Sequence, residues 1–435
     1  MMKFPHLIRH RGIEPLFRAI EISVTAQCNG HPFHIHTEGL RGTGKTSVIR
    51  AAQKALPPIT RIRGCIYNCD PAKPHCPNHR HLSRSQVSAI GSEVVPRPFL
   101  EISHSAKAGS VVGSIDLGKL TSQEVPLAAL LPGTIPQAHR GIIFIDEINR
   151  LADTSPELAD ILLDVMGTKP GRIQIEEPGL PVVEMPVSVS VWAASNPDED
   201  PGPLHQIRKQ LADRFDFLVP VSQPQDTQSV FDILKHRAMR SSAHDPITPL
   251  SVANMDTVHI PDDIRRALAT IYVAFKLESL RAVETIETAA VLDALLSGSN
   301  AISLDHLSRV LPYALGHRTS AETLAAILKY LEDLKTGNLG SASAAAAAPS
   351  SLLNYRKGPN RFKSWLYSLL SRLPFRDRLP QSPSSNSPEA KKQDTSPVKL
   401  PNSRDSVIAA PPKPASPLSE LADEQLITAS PKHHE

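Results

Sequence analysis

A chain of 435 residues is long enough for two or three domains with a sizeable core, and a net charge of +3 gives it no bulk attraction for nucleic acid. The N-terminal MMKFPHLIRH lacks the apolar segment of a secretory signal, and no apolar run reaches the ~20 residues of a membrane span. Four cysteines, three of them bunched, exclude a disulfide framework and point to reduced thiols or metal ligands in a cytoplasmic protein.

The first strong pattern along the chain is Gly39-Leu40-Arg41-Gly42-Thr43-Gly44-Lys45-Thr46, a full match to G-x-x-x-x-G-K-[ST]. It follows a strand-like PFHIHTE, polarised by His34 and His36, and opens a helix that Pro57-Pro58 ends. Glycines let backbone N–H groups wrap phosphates, and the helix N-terminus adds positive potential. Lys45 is expected at the β- and γ-phosphates of ATP and the Thr46 hydroxyl on Mg²⁺. A chance match in a loop is the bland alternative, which the strand–loop–helix context opposes.

Next comes GCIYNCDPAKPHCPNHRH, residues 64–81, with the spacing Cys65-x₃-Cys69-x₆-Cys76-x₂-His79 and with His75 and His81 as alternative fourth ligands. Three thiolates and an imidazole suit a closed tetrahedral Zn²⁺ site, and an iron–sulfur cluster fits three cysteines less well. The competing reading is a loop whose cysteines are small buried apolar residues. Asp70-Pro71, Pro74 and Pro77 make the segment turn-rich and without core periodicity.

Ile142-Ile143-Phe144-Ile145-Asp146-Glu147 reads as a core strand ending in two carboxylates. Asp146 is placed to hold Mg²⁺ through water and Glu147 to polarise the attacking water. A helix start is the alternative for the acidic pair. In ELADILLDVM, Leu158, Ile161, Leu162 and Val165 share one helical face, with Ser155-Pro156 as N-cap and first-turn proline. The strand SVSVWAAS delivers Asn196, placed to sense the γ-phosphate or orient water, and Leu211-Ala212-Asp213-Arg214-Phe215 offers an arginine whose alternative is a surface salt bridge. The alternation of strands and helices up to this point predicts a parallel sheet flanked by helices, residues 1–225.

From about Thr227 to Lys335 strand signals vanish, and helical patterns such as DDIRRALATIYVAFKLES and AETLAAILKYLEDL predict a small all-helical domain over 226–336. Residues 337–435 are low-complexity and rich in Pro, Ser and charge, which predicts a mostly disordered tail. Within it RFKSWLYSLLSRLPFR, 361–376, has apolar residues at helical spacing opposite a basic face. It suits docking to a partner or an anionic membrane surface, or folding back onto the protein's own body.

GLRGTGKT, GIIFIDEINRL, ASNPDEDPGPLHQIRKQLADRF and ESLRA together resemble the ATPase motor subunit of magnesium chelatase, within the AAA+ superfamily. The resemblance runs over about residues 5–320 and takes in VVGSIDLGKL, LLPGTIPQAHRG and GRIQIEEPGLPVVEMP, which correspond to a helix-2 insert and a β-hairpin before the sensor strand. It implies an α/β AAA+ P-loop NTPase domain with a helical lid, assembled as a hexameric ring with ATP between subunits. By resemblance Asn196 is sensor 1 and Arg214 the arginine finger, with Arg208 the competing candidate. Arg281 resembles the sensor-2 arginine that reports nucleotide to the lid. Leu40 stands where the family has aspartate, and after Arg281 come Ala282 and Val283, with the acid only at Glu284. Neither departure removes a phosphate or Mg²⁺ ligand.

Two ATP-hydrolysing functions follow. One is a motor driving metal insertion into a tetrapyrrole by a separate catalytic subunit. The other is a MoxR-type chaperone that acts with a von Willebrand A-domain partner to mature or metallate a client protein. A non-hydrolysing scaffold or metal-sensing regulator is a third class, opposed by the intact Lys45, Asp146, Glu147 and Asn196.

Overall fold

The first helix, Glu14–Cys28, has no counterpart among the elements expected from sequence. Pro15 sits in its first turn, and Asn29-Gly30 ends it, Gly30 taking φ +81°. Every residue from Leu16 to Gln27 except Arg18 is buried, so this is a core helix and not an amphipathic surface one. The computed structural model describes residues 7–115, 130–176, 182–239 and 253–337. The tail with its 361–376 segment, the middle of the expected helix-2 insert and the tip of the expected hairpin lie outside the described residues.

The strands in chain order are β1 (Ile35–Glu38), β2 (Ile59–Ile62), β3 (Ser92–Val95), β4 (Phe99–Ile102), β5 (Gly113–Ile115), β6 (Leu130–Pro132), β7 (Ile142–Asp146), β8 (Gly171–Ile175), β9 (Val183–Val187), β10 (Ser190–Ser195) and β11 (Phe217–Pro220). Five of them form one parallel sheet in the order β11-β1-β10-β7-β4. The expected parallel sheet between helices is therefore present, and β8 with β9 forms the expected hairpin before the sensor strand. Both faces of the sheet are covered. Ile142, Phe144, Trp192 and Ala194 join the core that includes Glu14–Cys28, while Ile143, Ile145, Val191 and Ala193 join a second core on the other face. Burial on both faces is why these strands read as continuous apolar runs and not as alternating ones. Asp146 pairs in register with Ala194, and Glu38 with Ser195, so the C-terminal ends of β1, β7 and β10 meet at one edge.

The helix Pro156–Gly167 buries Leu158, Leu162 and Val165 of the predicted face, and Ile161, the fourth, is half-buried at its margin. Ser155 takes the N-cap position ahead of Pro156, but its side chain makes no capping bond, so the proline and not a hydroxyl cap marks this helix start. Beyond β11 the described chain is helical, with Thr227–Met239, Asp262–Ala274, Leu280–Leu296, Leu304–Leu315 and Ala321–Thr336. Leu280–Leu296 packs on Glu14–Cys28, where Arg18 donates to the buried Asp293 at 2.6 Å. Among the described residues no helix is long and apolar enough to cross a membrane.

The two histidines of β1 and its entry are inside the core. His34 Nδ1 accepts from Val191 N at 3.1 Å, and His36 Nε2 lies 2.8 Å from Ser195 Oγ. Burial lowers both to about 3, so each is a neutral imidazole in the fold. In the unfolded chain they titrate near 6.5, so the stability they contribute is complete above that pH and is lost as the pH falls toward 3. The loss is about 1.4 kcal/mol per pH unit for each ring. Thermal melts between pH 8 and pH 5 are expected to show Tm falling from about pH 6.5 downward. A Tm that stays level to pH 5 would contradict buried neutral rings.

Candidate functional site

Gly39–Thr46 turns over the C-terminal end of β1, and Lys45 starts the helix Lys45–Ala52. Gly42 and Gly44 take φ of +75° and +87°, which side chains with a Cβ adopt only with strain. A Cβ at Gly39 would lie 2.3 Å from the Val221 carbonyl oxygen, so this turn presses directly on the chain after β11. The Lys45 ammonium is buried and donates to Gly39 O at 2.5 Å and Leu40 O at 2.9 Å. Burial lowers its pKa, and the carboxylates of Asp146 and Glu199 oppose that shift.

Thr46 Oγ1 donates to Asp146 Oδ2 at 3.2 Å, across 100 residues of sequence. This contact joins the loop to the end of β7 and sets a hydroxyl and a carboxylate where one hard cation could take both. Glu147 follows Asp146 with φ +56° and pairs with Arg150 at 3.2 Å. Asn196, at the end of β10, donates from Nδ2 to Glu199 Oε1 at 2.5 Å, and Arg41 donates to Glu199 Oε2 at 2.8 Å. One turn that depends on three glycines, a buried ammonium and the Thr46–Asp146 pair fit a nucleoside triphosphate with Mg²⁺.

Residues not singled out from sequence complete this edge. Arg50 donates to Glu101 at 2.9 and 3.0 Å and lies 3.9 Å from Asp146, and Glu199 ties Asn196 to Arg41. Arg50 is one helical turn beyond Thr46, a spacing that places both on one face. Glu199 had no comparable signal, because its role depends on a loop conformation.

The arginines sit elsewhere. Arg281, in the first turn of Leu280–Leu296, donates to Met166 O at 3.4 Å and to Gly167 O, and its Nη1 is buried without a partner among the described residues. Its pKa is lowered by burial first and by nearby Arg214, with Asp216 and Asp213 opposing. Thr285, one turn further on, donates to Asp216, which accepts from His34 N at the start of β1. Arg214 and Arg281 thus lie at the N-terminal edge of the sheet. Thr46 and Asp146 lie at the opposite edge, a strand length of roughly 13 Å away. Arg214 makes no hydrogen bond or ion pair among the described residues, whereas Arg208 pairs with Asp160 at 3.3 Å.

Cys65, Cys69, Cys76 and His79 are brought together, their ligand atoms all within 4.8 Å of one another. They are remote from the phosphate loop. Their segment docks on residues 137–140, ahead of the N-terminal end of β7, while Asp146 closes its C-terminal end.

The family model for magnesium chelatase, subunit ChlI, matches residues 11–203, and that for the AAA lid domain matches residues 260–329. The magnesium-chelatase 38 kDa subunit of Acidiphilium rubrum is 32% identical over 307 residues, 66% of this chain and 83% of that protein. The 38 kDa subunit of Cereibacter sphaeroides is 29% identical over 302 residues, covering 66% and 84%. The chloroplastic subunit ChlI-2 of Arabidopsis thaliana is 28% identical over 305 residues, covering 66% and 69%.

Proposed function

Because the chain belongs to the magnesium chelatase subunit ChlI family of AAA+ ATPases, we propose that it is an ATP-hydrolysing motor subunit. It works in a ring, a hexamer by analogy with its family, and drives a partner that inserts metal into a tetrapyrrole. The observation that carries the ATPase reading is the meeting of Thr46 and Asp146 beside the buried Lys45.

The roles follow from placement. Backbone N–H groups of the Gly39–Thr46 turn hold the phosphates, and Lys45 exchanges its two carbonyl acceptors for phosphate oxygens. Thr46 and Asp146 hold Mg²⁺, which when bound neutralises charge on the β- and γ-phosphates. Glu147 accepts a proton from the attacking water, and Asn196, held by Glu199, orients that water. Arg214 and Arg281 act on a neighbouring subunit's ATP, since both lie at the far edge of their own sheet. Arg214, unpaired among the described residues, is free to take this role, and the Arg208–Asp160 pair disfavours Arg208 as the finger.

A von Willebrand A-domain subunit is the partner class we assign. The MoxR-type chaperone remains the second reading, because it uses the same ATPase edge with a different client. Metal insertion into a tetrapyrrole, assayed with the catalytic subunit from the same host, separates them. ATP-dependent insertion that stops with Lys45→Ala is the expected result. ATP hydrolysis without insertion, together with a metallated client protein, would transfer the chain to the second reading.

A further inference from the structure

We propose that Cys65, Cys69, Cys76 and His79 form a closed tetrahedral zinc site that holds the β2–β3 excursion against the chain entering β7. Three sulfurs and the imidazole of His79 converge, with Cys76 Sγ 3.1 Å from His79 Nδ1. Zn–S bonds of about 2.3 Å and a Zn–N bond of about 2.0 Å give a tetrahedron with edges of roughly 3.5–3.8 Å. The observed separations of 4.8 Å or less reach that size with small side-chain shifts. Four protein ligands leave no open position, so the site is structural and not catalytic.

The backbone is arranged for thiolates. Cys69 N points at Cys65 Sγ at 3.5 Å, and His75 N and Cys76 N point at Cys69 Sγ at 3.4 and 3.3 Å. N–H donors aimed at sulfur stabilise the charge that metal binding requires. The structure also separates the histidines. His79 belongs to the converging four, and His81 accepts from Arg80 Nε; His75 has Nδ1 3.2 Å from Cys69 Sγ but lies outside the four and stacks on His139 with ring centroids 3.7 Å apart.

Ordinary packing explains these cysteines poorly. Between Gly64 and Leu82 the buried side chains are Cys65, Tyr67, Asn68, Cys69, Cys76 and Pro77, while the one aliphatic isoleucine, Ile66, is 50% exposed. The three cysteines and Tyr67 reach the margin of the second core, but the excursion buries no aliphatic side chain of its own, and small excursions of this kind are stabilised by metal or disulfide. All four cysteines are free thiols. The excursion is then tied to the entry of β7. Asn68 Nδ2 donates to Gln137 O at 2.7 Å, Arg140 pairs with Asp70 at 3.2 Å, and Arg140 Nη1 donates to Thr60 O at 2.7 Å.

The test uses the full-length protein. Metal analysis after dialysis is expected to give about one zinc per chain, released in step with modification of three thiols by a mercurial reagent. Cobalt substitution is expected to give thiolate-to-cobalt charge transfer with tetrahedral d–d bands. Cys69→Ser/Cys76→Ser loses the zinc, His79→Cys keeps it because four thiolates still close the site, and Cys28→Ser keeps it because Cys28 lies outside the cluster. Should the double variant not fold, the wild-type stoichiometry, the thiol-coupled release and the cobalt spectrum decide. Wild type free of zinc with three freely reacting thiols would overturn the proposal. Iron with acid-labile sulfide, or equal zinc in wild type and a folded double variant, would also overturn it.

Discussion

Glu147→Gln is expected to bind ATP within a few-fold of wild type while hydrolysing it ~10²–10⁴-fold more slowly. The side chain stands next to Asp146 yet outside the cradle, since Lys45 bonds to Gly39 and Leu40 and Thr46 bonds to Asp146. Glutamine keeps the shape and a hydrogen-bonding oxygen, but it cannot take a proton from water. The backbone agrees with a functional placement. Glu147 holds φ +56°, a region that non-glycine residues occupy only when the surroundings require it. Here it turns the chain from β7 directly into the helix Ile148–Thr154 and leaves the carboxylate at the sheet edge. Calorimetric ATP titration and phosphate release check the two halves separately. Hydrolysis at the wild-type rate would remove Glu147 from this role.

Asp216→Ala is expected to destabilise the fold by about 3–5 kcal/mol, the loss seen when one partner of a buried charge pair is removed. Asp216 is 1% exposed and accepts from Lys169 Nζ at 3.0 and 3.1 Å, His34 N at 2.8 Å and Thr285 Oγ1 at 3.0 Å. Burial alone would raise its pKa, but Lys169 and the hydrogen bonds outweigh it and hold the carboxyl below its ordinary value. Its contribution is therefore present above the unfolded carboxyl pKa and is lost as the pH falls through the folded one. Alanine leaves the Lys169 ammonium and the His34 amide without their acceptor, and it cuts the link from β1 to the helix that bears Arg281. Asp216→Asn keeps part of the hydrogen bonding and should fall between the two. Urea unfolding at pH 7 measures the difference, and a loss below about 1 kcal/mol would contradict a charge pair at the centre of this edge.

The legible parts of the molecule were those in which one local pattern carries the chemistry. G-x-x-x-x-G-K-T requires its glycines in place, and IIFIDE is a strand buried on both faces that ends where charge is needed. The helix Glu14–Cys28 escaped notice because burial all round removes the polar face that makes periodicity visible. The cysteine spacing pointed to a metal site, but three nearby histidines competed for the fourth place, and only the folded turn brings His79 in. The position of Arg281 could not be read at all. Resemblance gave its name, but the packing of Leu280–Leu296 against Asp216 decides which end of the sheet it serves. Glu199 is similar, since three residues of loop determine whether it meets Asn196.

The opposed placement of phosphate loop and arginines is tested most directly by mixing two variants. Lys45→Ala removes the phosphate contact and keeps Arg214, whereas Arg214→Ala keeps the phosphate loop and removes the finger. Each alone is expected to hydrolyse ATP only at a residual rate. In an equal random mixture, roughly a quarter of ring interfaces combine an intact loop with an intact finger from the neighbour. Hydrolysis should therefore reappear on mixing, while Arg208→Ala stays active alone. Activity that remains at the sum of the two variants, or an Arg214→Ala chain that hydrolyses like wild type by itself, would contradict a site completed by the adjacent subunit.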